Sequence, residues 1–190
     1  MIHSSSDMHP VYTIDARDRI VAVNGEWLRF ARPQGSVDAD LPGVIGRSIW
    51  ELTPGGQVRQ LWQLLYQRVR SVGAQVLVPM RVDTARERRL IEIELRPQPD
   101  QSIQHICERV WSEARPFAAL LDPSSSRDQR HLHACAWCSR IQVRAGVWQE
   151  IEDAVATLAL ETGASVPKLL SVACMTCKQS LLKTFPLLMV

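Results

Sequence analysis

Cys135-Ala-Trp-Cys138 and Cys174-Met-Thr-Cys177 are two Cys-x-x-Cys pairs, and 35 residues separate them in this chain of 190 residues. A gap of two residues lets a tight turn direct both thiolates at one point. Two such turns form a tetrahedral four-sulfur shell, which Zn²⁺ accepts readily. Four of the five cysteines belong to this array. The sequence therefore predicts a structural Zn²⁺ site made of Cys135, Cys138, Cys174 and Cys177.

Other interpretations of the cysteines stay open at this point. The pairs are also compatible with disulfides or free thiols, whereas a thioredoxin-type redox pair needs a βαβ context that the surrounding pattern lacks. His131 and His133 precede the first pair, and either one is able to replace a thiolate. The separation exceeds the roughly 15–20 residues of common zinc ribbons, so a small folded insert is expected between the pairs. A four-thiolate site leaves no open coordination position, which argues against catalysis there.

Length and composition limit the classes of protein that the chain can form. With 190 residues, 46% of them hydrophobic, it has room for one ordinary globular domain and a small second one. A net charge of +2 gives no general electrostatic reason to bind nucleic acid or an anionic membrane. No apolar run approaches roughly 18 residues, and the first residues lack the features of a signal peptide. Thiol pairs without an export signal are typical of the cytoplasm, which is the expected compartment.

The apolar pattern of the first part of the chain predicts five strands and two helices. Asn24 is a predicted cap for the helix Glu26–Ala31, and Thr53-Pro54 opens a longer helix that ends at Gly73. The order β-β-α-α-β-β-β predicts an α+β fold, with one five-stranded antiparallel sheet and flanking helices. The predicted strands are Val11–Asp15, Ile20–Val23, Gln75–Val82, Arg89–Leu95 and Ser102–Trp111, and the long helix has an apolar stripe of Val58, Leu61, Trp62, Leu65, Val69 and Val72.

The remaining segments complete the predicted domain organisation. Residues 1–10 are polar and are expected to be a disordered tail, and residues 114–130 carry Pro123 and three serines, which is typical of a linker. Residues 131–190 are the predicted zinc-stapled α/β module. Within it we expect a hairpin over Ile141–Val147, a helix over Trp148–Glu161 that stops at Gly163, and a short helix over Lys178–Phe185.

Residues 11–113 resemble a PAS domain in the order of their elements and in local phrases. IDARDRIVAVNGEWLRFA (Ile14–Ala31) resembles the PAS opening, and VIGRSIWEL (Val44–Leu52) resembles the segment before the long helix. VPMRVDTARERRLIEIELRP (Val78–Pro97) resembles a bacterial subgroup that carries an R-x-D…RR phrase. Arg81, Asp83, Arg88 and Arg89 match that phrase, while Val82 stands where the subgroup commonly has cysteine.

The C-terminal part resembles a short module of bacterial signalling proteins. Its phrase is C-x-x-C-[KS]-[RK]-[IV], then a tryptophan at the start of a helix, then C-x-x-C. CAWCSRIQVRAGVWQEIEDAV (Cys135–Val155) and ACMTCKQSL (Ala173–Leu181) match it. The module usually has His-Gly before its second pair, where this chain has Val172-Ala173.

The PAS resemblance implies sensing by ligand binding or dimerisation, without catalysis. Trp27 and Trp50 are candidates for lining a ligand pocket, with core packing as the alternative. His105 and Cys107 lie two apart on the last predicted strand and share one face, so they are either pocket residues or core residues. The helical region carries no cysteine for flavin adduct chemistry, and residues 50–72 carry no histidine for haem. Neither haem nor flavin is therefore expected.

The four residues of the R-x-D…RR phrase admit two interpretations. Arg81, Asp83, Arg88 and Arg89 form either an anion contact or an ion-pair cluster that stabilises a turn. In the second case we expect a solvated hairpin with weak surface pairs.

These observations together predict a non-catalytic, cytoplasmic bacterial signalling protein with no membrane association. A PAS-like domain that binds a small molecule or dimerises is joined to a structural-zinc interaction module, and the expected partner is a second copy or another signalling protein. Two alternatives are a zinc-thiolate redox switch and a nucleic-acid-binding regulator. The second alternative is disfavoured because the charges of residues 131–190 are nearly balanced.

Overall fold

The computed structural model describes residues 9–31, 41–53, 55–160 and 165–184. The chain divides into two compact units by its internal contacts. The first unit comprises Met1–Pro54, Leu61–Pro79 and Ile91–Val110, and the second comprises Gly55–Gln60, Met80–Leu90 and Trp111–Val190. The predicted disordered tail lies outside the described residues, except for His9 and Pro10. Among the helices that are described, none is long and apolar enough to cross a membrane.

The first unit begins with the hairpin that the sequence predicted. Strands β1 (Val11–Ile14) and β2 (Ile20–Val23) pair antiparallel, with Tyr12 opposite Val23. The turn between them is organised by Asp15, whose Oδ1 accepts the backbone N–H groups of Arg17 at 2.9 Å and Arg19 at 2.8 Å. A local acceptor of this kind is the usual role of aspartate in turns.

Three short helices follow the hairpin. Helix α1 (Gly25–Ala31) is capped as predicted, because Asn24 Oδ1 accepts the N–H of Trp27 at 2.8 Å. Helix α2 (Leu41–Val44) was not predicted from the sequence, and residues 32–40 ahead of it lie outside the described residues. Helix α3 (Ile49–Leu52) was also missed, although Ser48 and Glu51 form a capping box that the sequence displays.

Helix α4 (Gly56–Val72) is the long helix of the molecule. It begins at Gly56 and not at Thr53-Pro54, and Pro54 lies outside the described residues. Five of the six residues of the predicted apolar stripe are buried, but Val72 is exposed. Gly73 ends the helix with a φ of +66° and donates its N–H to Val69 O at 3.0 Å. This is the conformation for which glycine is favoured after a helix.

Strands β3 (Val76–Arg81), β4 (Glu87–Pro97) and β5 (Ile103–Ala114) complete a sheet in the order β2-β1-β5-β4-β3. The α+β prediction of a five-stranded antiparallel sheet with flanking helices is confirmed. β5 is the central strand, and its alternation settles which residues face inward. Ile103, His105 and Cys107 are all buried, with His105 fully inaccessible.

The second unit contains a 3₁₀ turn (Ala119–Leu121) and a four-stranded sheet with two helices. The elements are β6 (Arg127–Cys135), β7 (Ile141–Arg144), β8 (Val147–Gln149), α5 (Ile151–Thr157), β9 (Val166–Val172) and α6 (Met175–Thr184). The sheet order is β8-β7-β6-β9, and β6 and β9 run parallel. A small apolar core packs the 3₁₀ turn, β7, α5 and β9 together, with these buried residues: Ala118, Leu120, Ile141, Ile151, Ala154 and Val166.

The structure corrects the predicted linker at residues 114–130. Arg115, Ala118 and Leu120 of this segment are buried, and β6 begins at Arg127. Pro123 and the serines form only a turn. The strand was not recognised in the sequence because Cys135 is the one buried residue of β6, and the strand has few apolar positions. β9 was missed as well.

Two predicted helices differ in extent from the observed ones. The expected hairpin is present as β7 and β8, but Trp148 belongs to β8 and α5 starts only at Ile151. Gly163, the predicted stop, lies outside the described residues, as does Phe185. Helix α6 begins at Met175, inside the second cysteine pair, and not at Lys178.

Candidate metal centre

The two cysteine pairs lie at the ends of neighbouring strands. Cys135 is the last residue of β6, and Cys138 follows in the adjoining turn. Cys174 lies two residues after the end of β9, and Cys177 lies in the first turn of α6. Because β6 and β9 are parallel, with Cys135 in register with Val172, both pairs leave the sheet at the same edge. The parallel pairing is what brings distant parts of the sequence together.

The spacing of the four sulfurs fits a tetrahedral metal ion. All four Sγ atoms lie within 4.8 Å of one another, and Cys138 Sγ is 3.9 Å from Cys174 Sγ. A Zn–S bond of about 2.3 Å in tetrahedral geometry places sulfurs about 3.8 Å apart. None of the cysteines is joined in a disulfide. The predicted ligand set is therefore assembled at metal-binding distance, and its all-sulfur chemistry suits Zn²⁺.

Backbone hydrogen bonds hold the sulfurs in place. Cys174 N–H donates to Cys135 Sγ at 3.3 Å, and Cys177 N–H donates to Cys174 Sγ at 3.4 Å. In the first pair, Cys135 N–H donates to Arg140 O at 2.8 Å, and Ser139 N–H donates to Cys135 O at 2.9 Å. Such bonds fix the direction of each ligand and partly neutralise a thiolate.

The thiols of the cluster influence one another's ionisation. Hydrogen bonds from Cys138 and then Cys177 lower the pKa of Cys135. The hydrogen bond to Cys135 raises the pKa of Cys138 to about 12, and the same partner raises the pKa of Cys177. The Cys135 thiolate therefore forms readily, and its negative charge opposes the ionisation of Cys138 and Cys177. A full set of thiolates needs a cation to offset this repulsion, which is the electrostatic role of a bound metal.

The two histidines ahead of the first pair lie elsewhere on the strand. His131 and His133 are exposed on β6, and His133 Nδ1 is 2.9 Å from Gln142 Oε1. Among the described residues, one group of three or more potential ligands lies at metal-binding distance, and it consists of the four cysteines. The structure thus favours four sulfur ligands over a set with a histidine.

The pocket candidates of the first unit belong to an aromatic cluster. His105 stacks on Tyr12, with ring centroids 4.1 Å apart, and its Nε2 lies 2.9 Å from the Tyr66 hydroxyl. Trp27 is buried, and its ring centroid lies 6.0 Å from that of Tyr12. Trp50 lies 5.5 Å from Tyr66 by the same measure. Tyr12 and Tyr66 therefore connect three of the predicted pocket residues, which are Trp27, Trp50 and His105.

The sequence reasoning missed Tyr12 and Tyr66, although signals for both exist. Tyr12 lies on β1 directly opposite His105 on β5. Tyr66 lies four residues after Trp62 on α4, the spacing at which helical side chains are neighbours. The pairing of β1 with β5 could not be predicted from a single sequence. The position of Tyr12 opposite His105 is therefore known only from the structure.

Burial keeps the titratable groups of this cluster neutral. It lowers the pKa of His105 to about 3 and raises the pKa of Cys107 to about 12. Burial also raises the pKa of Tyr66. A neutral imidazole and a protonated thiol are poor candidates for a general acid or a nucleophile near neutral pH. Cys107 instead packs as a small core residue.

The R-x-D…RR phrase forms a buried ion-pair network, which corrects the expectation of a solvated hairpin. Arg81 binds Asp83 through two bonds, Nε to Oδ1 at 2.9 Å and Nη2 to Oδ2 at 2.5 Å. The Asp83 side chain is 1% exposed and also accepts Arg115 Nη1 at 3.1 Å, while the Arg115 side chain is fully buried. Arg115 could not be recognised from the sequence, because its partners come from distant segments.

The other two arginines of the phrase complete the network. Arg88 Nη2 lies 2.9 Å from Glu152 Oε1, which also binds Arg115 Nη2 at 2.8 Å. Arg89 donates its backbone N–H to Asp83 Oδ1 at 3.1 Å. Of the two interpretations of these residues, the structure therefore favours the ion-pair cluster. The partners of the arginines are carboxylates of the chain itself.

Comparison with known proteins finds similarity in solved structures alone. No protein-family model matches the chain, and no curated protein does. A domain of an HTR-like protein from Haloarcula marismortui has a TM-score of 0.40 and 13% identity, covering 54% of this chain and 98% of that one. The PAS domain of Bordetella pertussis BvgS has a TM-score of 0.38 and 16% identity, covering 54% and 72%. A sensory box sensor histidine kinase from Vibrio cholerae has a TM-score of 0.37 and 16% identity, covering 56% and 82%. These values concern the fold alone and carry no inference about a ligand or an activity.

Proposed function

We propose that this chain is a non-catalytic bacterial signalling protein of the cytoplasm with a structural Zn²⁺. Its PAS-like unit binds a small molecule or dimerises, and its metal-stabilised module contacts a second copy or another signalling protein. The observation that carries the proposal is the cluster of four cysteine sulfurs within 4.8 Å. A shell of four thiolates is closed to substrate, which makes the metal structural.

The interior of the first unit supports a role without catalysis. Its buried histidine and cysteine are held in the uncharged state by burial. The second unit exposes several large apolar side chains, which are accessible to a protein partner. These are Trp111, Phe117, Leu170 and Met175.

Native mass spectrometry of the full chain, purified without chelator, tests this proposal. We expect one Zn²⁺ per chain, together with a direct reading of subunit number and of any retained small molecule. We also expect an absorbance spectrum without haem or flavin bands. Well under half an equivalent of metal in freshly purified protein would contradict the structural-zinc part of the proposal. A stoichiometric chromophore would contradict the expectation that neither haem nor flavin is bound.

A zinc-thiolate redox switch is a second candidate, and the uneven burial of the ligands favours it. Cys135 and Cys174 are buried, whereas Cys138 and Cys177 are partly exposed. An oxidant such as hydrogen peroxide therefore reaches two of the four sulfurs. Peroxide treatment should then release Zn²⁺ with formation of a disulfide, and a thiol reductant with added Zn²⁺ should reverse it. If the protein keeps its metal at a peroxide concentration that oxidises free glutathione completely, the redox switch is excluded.

A further inference from the structure

The second unit contains a segment that lies far upstream of the metal module in the sequence. Met80–Leu90, the end of the hairpin formed by β3 and β4, belongs to the same compact unit as both cysteine pairs. The resemblance of residues 135–181 to a short module gives no reason to expect this. The contacts of one residue, Arg81, explain why the segment belongs there.

The backbone of Arg81 forms hydrogen bonds with the two residues that flank the predicted metal ligand Cys138. Its N–H donates to Trp137 O at 2.8 Å, and its carbonyl accepts the Ser139 hydroxyl at 3.2 Å. Trp137 and Ser139 are the two neighbours of Cys138 in the sequence. The turn that presents Cys138 is therefore attached to the hairpin at two points. Ser139 has a φ of +58°, an uncommon conformation for a residue with a side chain, and these bonds help to hold it.

The side chain of Arg81 adds a third attachment. Its Nη2 lies 3.2 Å from Glu150 Oε2, and Glu150 Oε1 accepts Arg140 Nε at 3.0 Å. Arg140 in turn accepts the Cys135 N–H at its carbonyl oxygen. Although burial acts to raise the pKa of Glu150, Arg140 and Arg81 hold it below its ordinary value. The charged bridge is therefore present near neutral pH.

Arg81 itself is held rigidly by the buried part of the network. Two bonds to Asp83 orient the guanidinium, and Arg115 holds Asp83 from the other side. A bidentate pair with a buried carboxylate leaves the guanidinium one direction in which to point. The end of the hairpin is therefore able to position the turn that carries Cys138.

From these contacts we infer that Arg81 is a positioning residue of the metal site, and that the site is incomplete without the hairpin segment 80–90. The inference rests on the proposed Zn²⁺ site and deepens it. Hydrogen-bonding partners of metal ligands commonly contribute 10–100-fold to metal affinity when their loss lets a ligand turn away. Affinity for the metal is thus expected to depend on a residue that no Cys-x-x-Cys pattern includes.

The experiment is a Zn²⁺ affinity measurement on the full chain by competition with a chromogenic chelator. Arg81→Ala keeps the two backbone bonds but loses the guanidinium that holds the hairpin end to Asp83 and Glu150. It should therefore bind Zn²⁺ about 10-fold more weakly than the wild type, at the lower end of the usual range. Arg81→Lys should recover part of the loss, since one charged bond remains. Ser139→Ala should weaken binding to a smaller extent. Arg96→Ala is the matched control, because Arg96 pairs with Glu94 in the first unit and should leave the affinity unchanged.

Hydrogen exchange separates positioning from a general loss of stability. Coupling between the hairpin and the metal must act in both directions. Removal of Zn²⁺ from the wild type should therefore deprotect the amide of Arg81, which donates to Trp137. The amide of Cys107, which donates to Pro10 O at 2.9 Å in the first unit, should keep its protection.

The outcomes distinguish this inference from the proposed function. If the wild type binds no Zn²⁺, both fail together. If the wild type binds Zn²⁺ and Arg81→Ala matches Arg96→Ala in affinity, the inference is overturned while the metal site stands. Weaker binding by Arg81→Ala without any change at the Arg81 amide on metal removal would also overturn it. Weaker binding together with deprotection at that amide supports it.

Discussion

The interiors of the two units are built by different means. The first unit buries large side chains, among them Leu65, Leu95 and Ile103, around an aromatic cluster whose polar atoms are hydrogen-bonded and uncharged. The second unit has a core of six buried aliphatic side chains with no aromatic ring among them, accompanied by a four-sulfur cluster and a buried network of charges. Apolar burial scales with the size of a core, so a small sheet is stable only with additional cross-links. The difference predicts which substitutions each unit tolerates.

The largest effect is expected from removing a metal ligand. Cys174→Ser should abolish Zn²⁺ binding and unfold β6 and β9, because structural Zn²⁺ contributes roughly 10–16 kcal/mol in small metal-dependent domains. The measurement is metal content together with hydrogen exchange of the second sheet. Cys107→Ser is the control, since Cys107 is buried in the first unit, and metal content should not change. Normal exchange protection of β6 in metal-free protein would show that the apolar core suffices by itself.

A smaller effect is expected from breaking the buried charge network. Asp83→Ala leaves Arg115, which is fully buried, without one of its two carboxylate partners. Removing one member of a buried pair typically costs about 3–5 kcal/mol, because the remaining charge is uncompensated. Denaturant unfolding should therefore show a much lower midpoint for Asp83→Ala. Arg130→Gln, which breaks an exposed pair with Asp128, should leave the midpoint nearly unchanged. Equal midpoints for the two variants would show that the buried network contributes no more to the free energy of unfolding than an exposed ion pair does.

A third comparison uses two neighbouring glycines of the second unit. Gly55 has a φ of +81°, and a Cβ added there would lie 2.2 Å from Ser171 O, whereas a Cβ at Gly56 meets nothing within 4 Å. Gly55→Ala should cost about 1–3 kcal/mol through strained backbone and the required shift of β9. Gly56→Ala should be neutral or stabilising by up to about 1 kcal/mol, since alanine favours a helix. Thermal unfolding of both variants measures the contrast, and similar melting temperatures would contradict the close approach at Gly55.

The smallest effect is a pH dependence of the first unit. Burial lowers the pKa of His105 to about 3, so the unfolded chain takes up a proton near ordinary histidine values while the folded protein does not. The stabilising contribution is therefore complete above about pH 6.5 and is lost as the pH falls, by at most about 1.4 kcal/mol per unit. Arg70, whose charge also disfavours protonation, and the neutral Tyr12 and Tyr66 are the neighbouring groups.

Urea unfolding of the wild type and of His105→Gln at several pH values isolates this contribution. The wild type should lose stability between about pH 7 and pH 5 more steeply than the variant. Comparing the two removes any contribution from acid release of the metal, since that contribution is common to both. Parallel pH profiles would show that the pKa of His105 is the same in the folded and unfolded states, which would contradict the effect of burial.

The secondary structure was predictable wherever one face of an element is strongly apolar. β1, β2 and α4 fulfil that condition, and their positions agree with the alternation and the stripe in the sequence. β6 does not, because it exposes Gln129, Arg130, His131 and His133 and leaves few apolar positions to recognise. The pattern at 114–130 was therefore interpreted as a linker. The predicted domain boundaries at 113 and 131 divide the chain differently from its contacts, which assign residues 80–90 and 111–130 to the second unit.

The sequence by itself determined which four cysteines form the candidate metal site, because two residues between cysteines favour a local turn whatever the surroundings. It also determined the order of strands and helices in the first unit, since apolar periodicity is a local property. The tertiary structure decided that β6 and β9 pair in parallel, that His105 faces a tyrosine, and that Asp83 is buried between two arginines. These features join residues that are far apart in the chain. Their energies come from burial and from partners that exist only after the chain has folded.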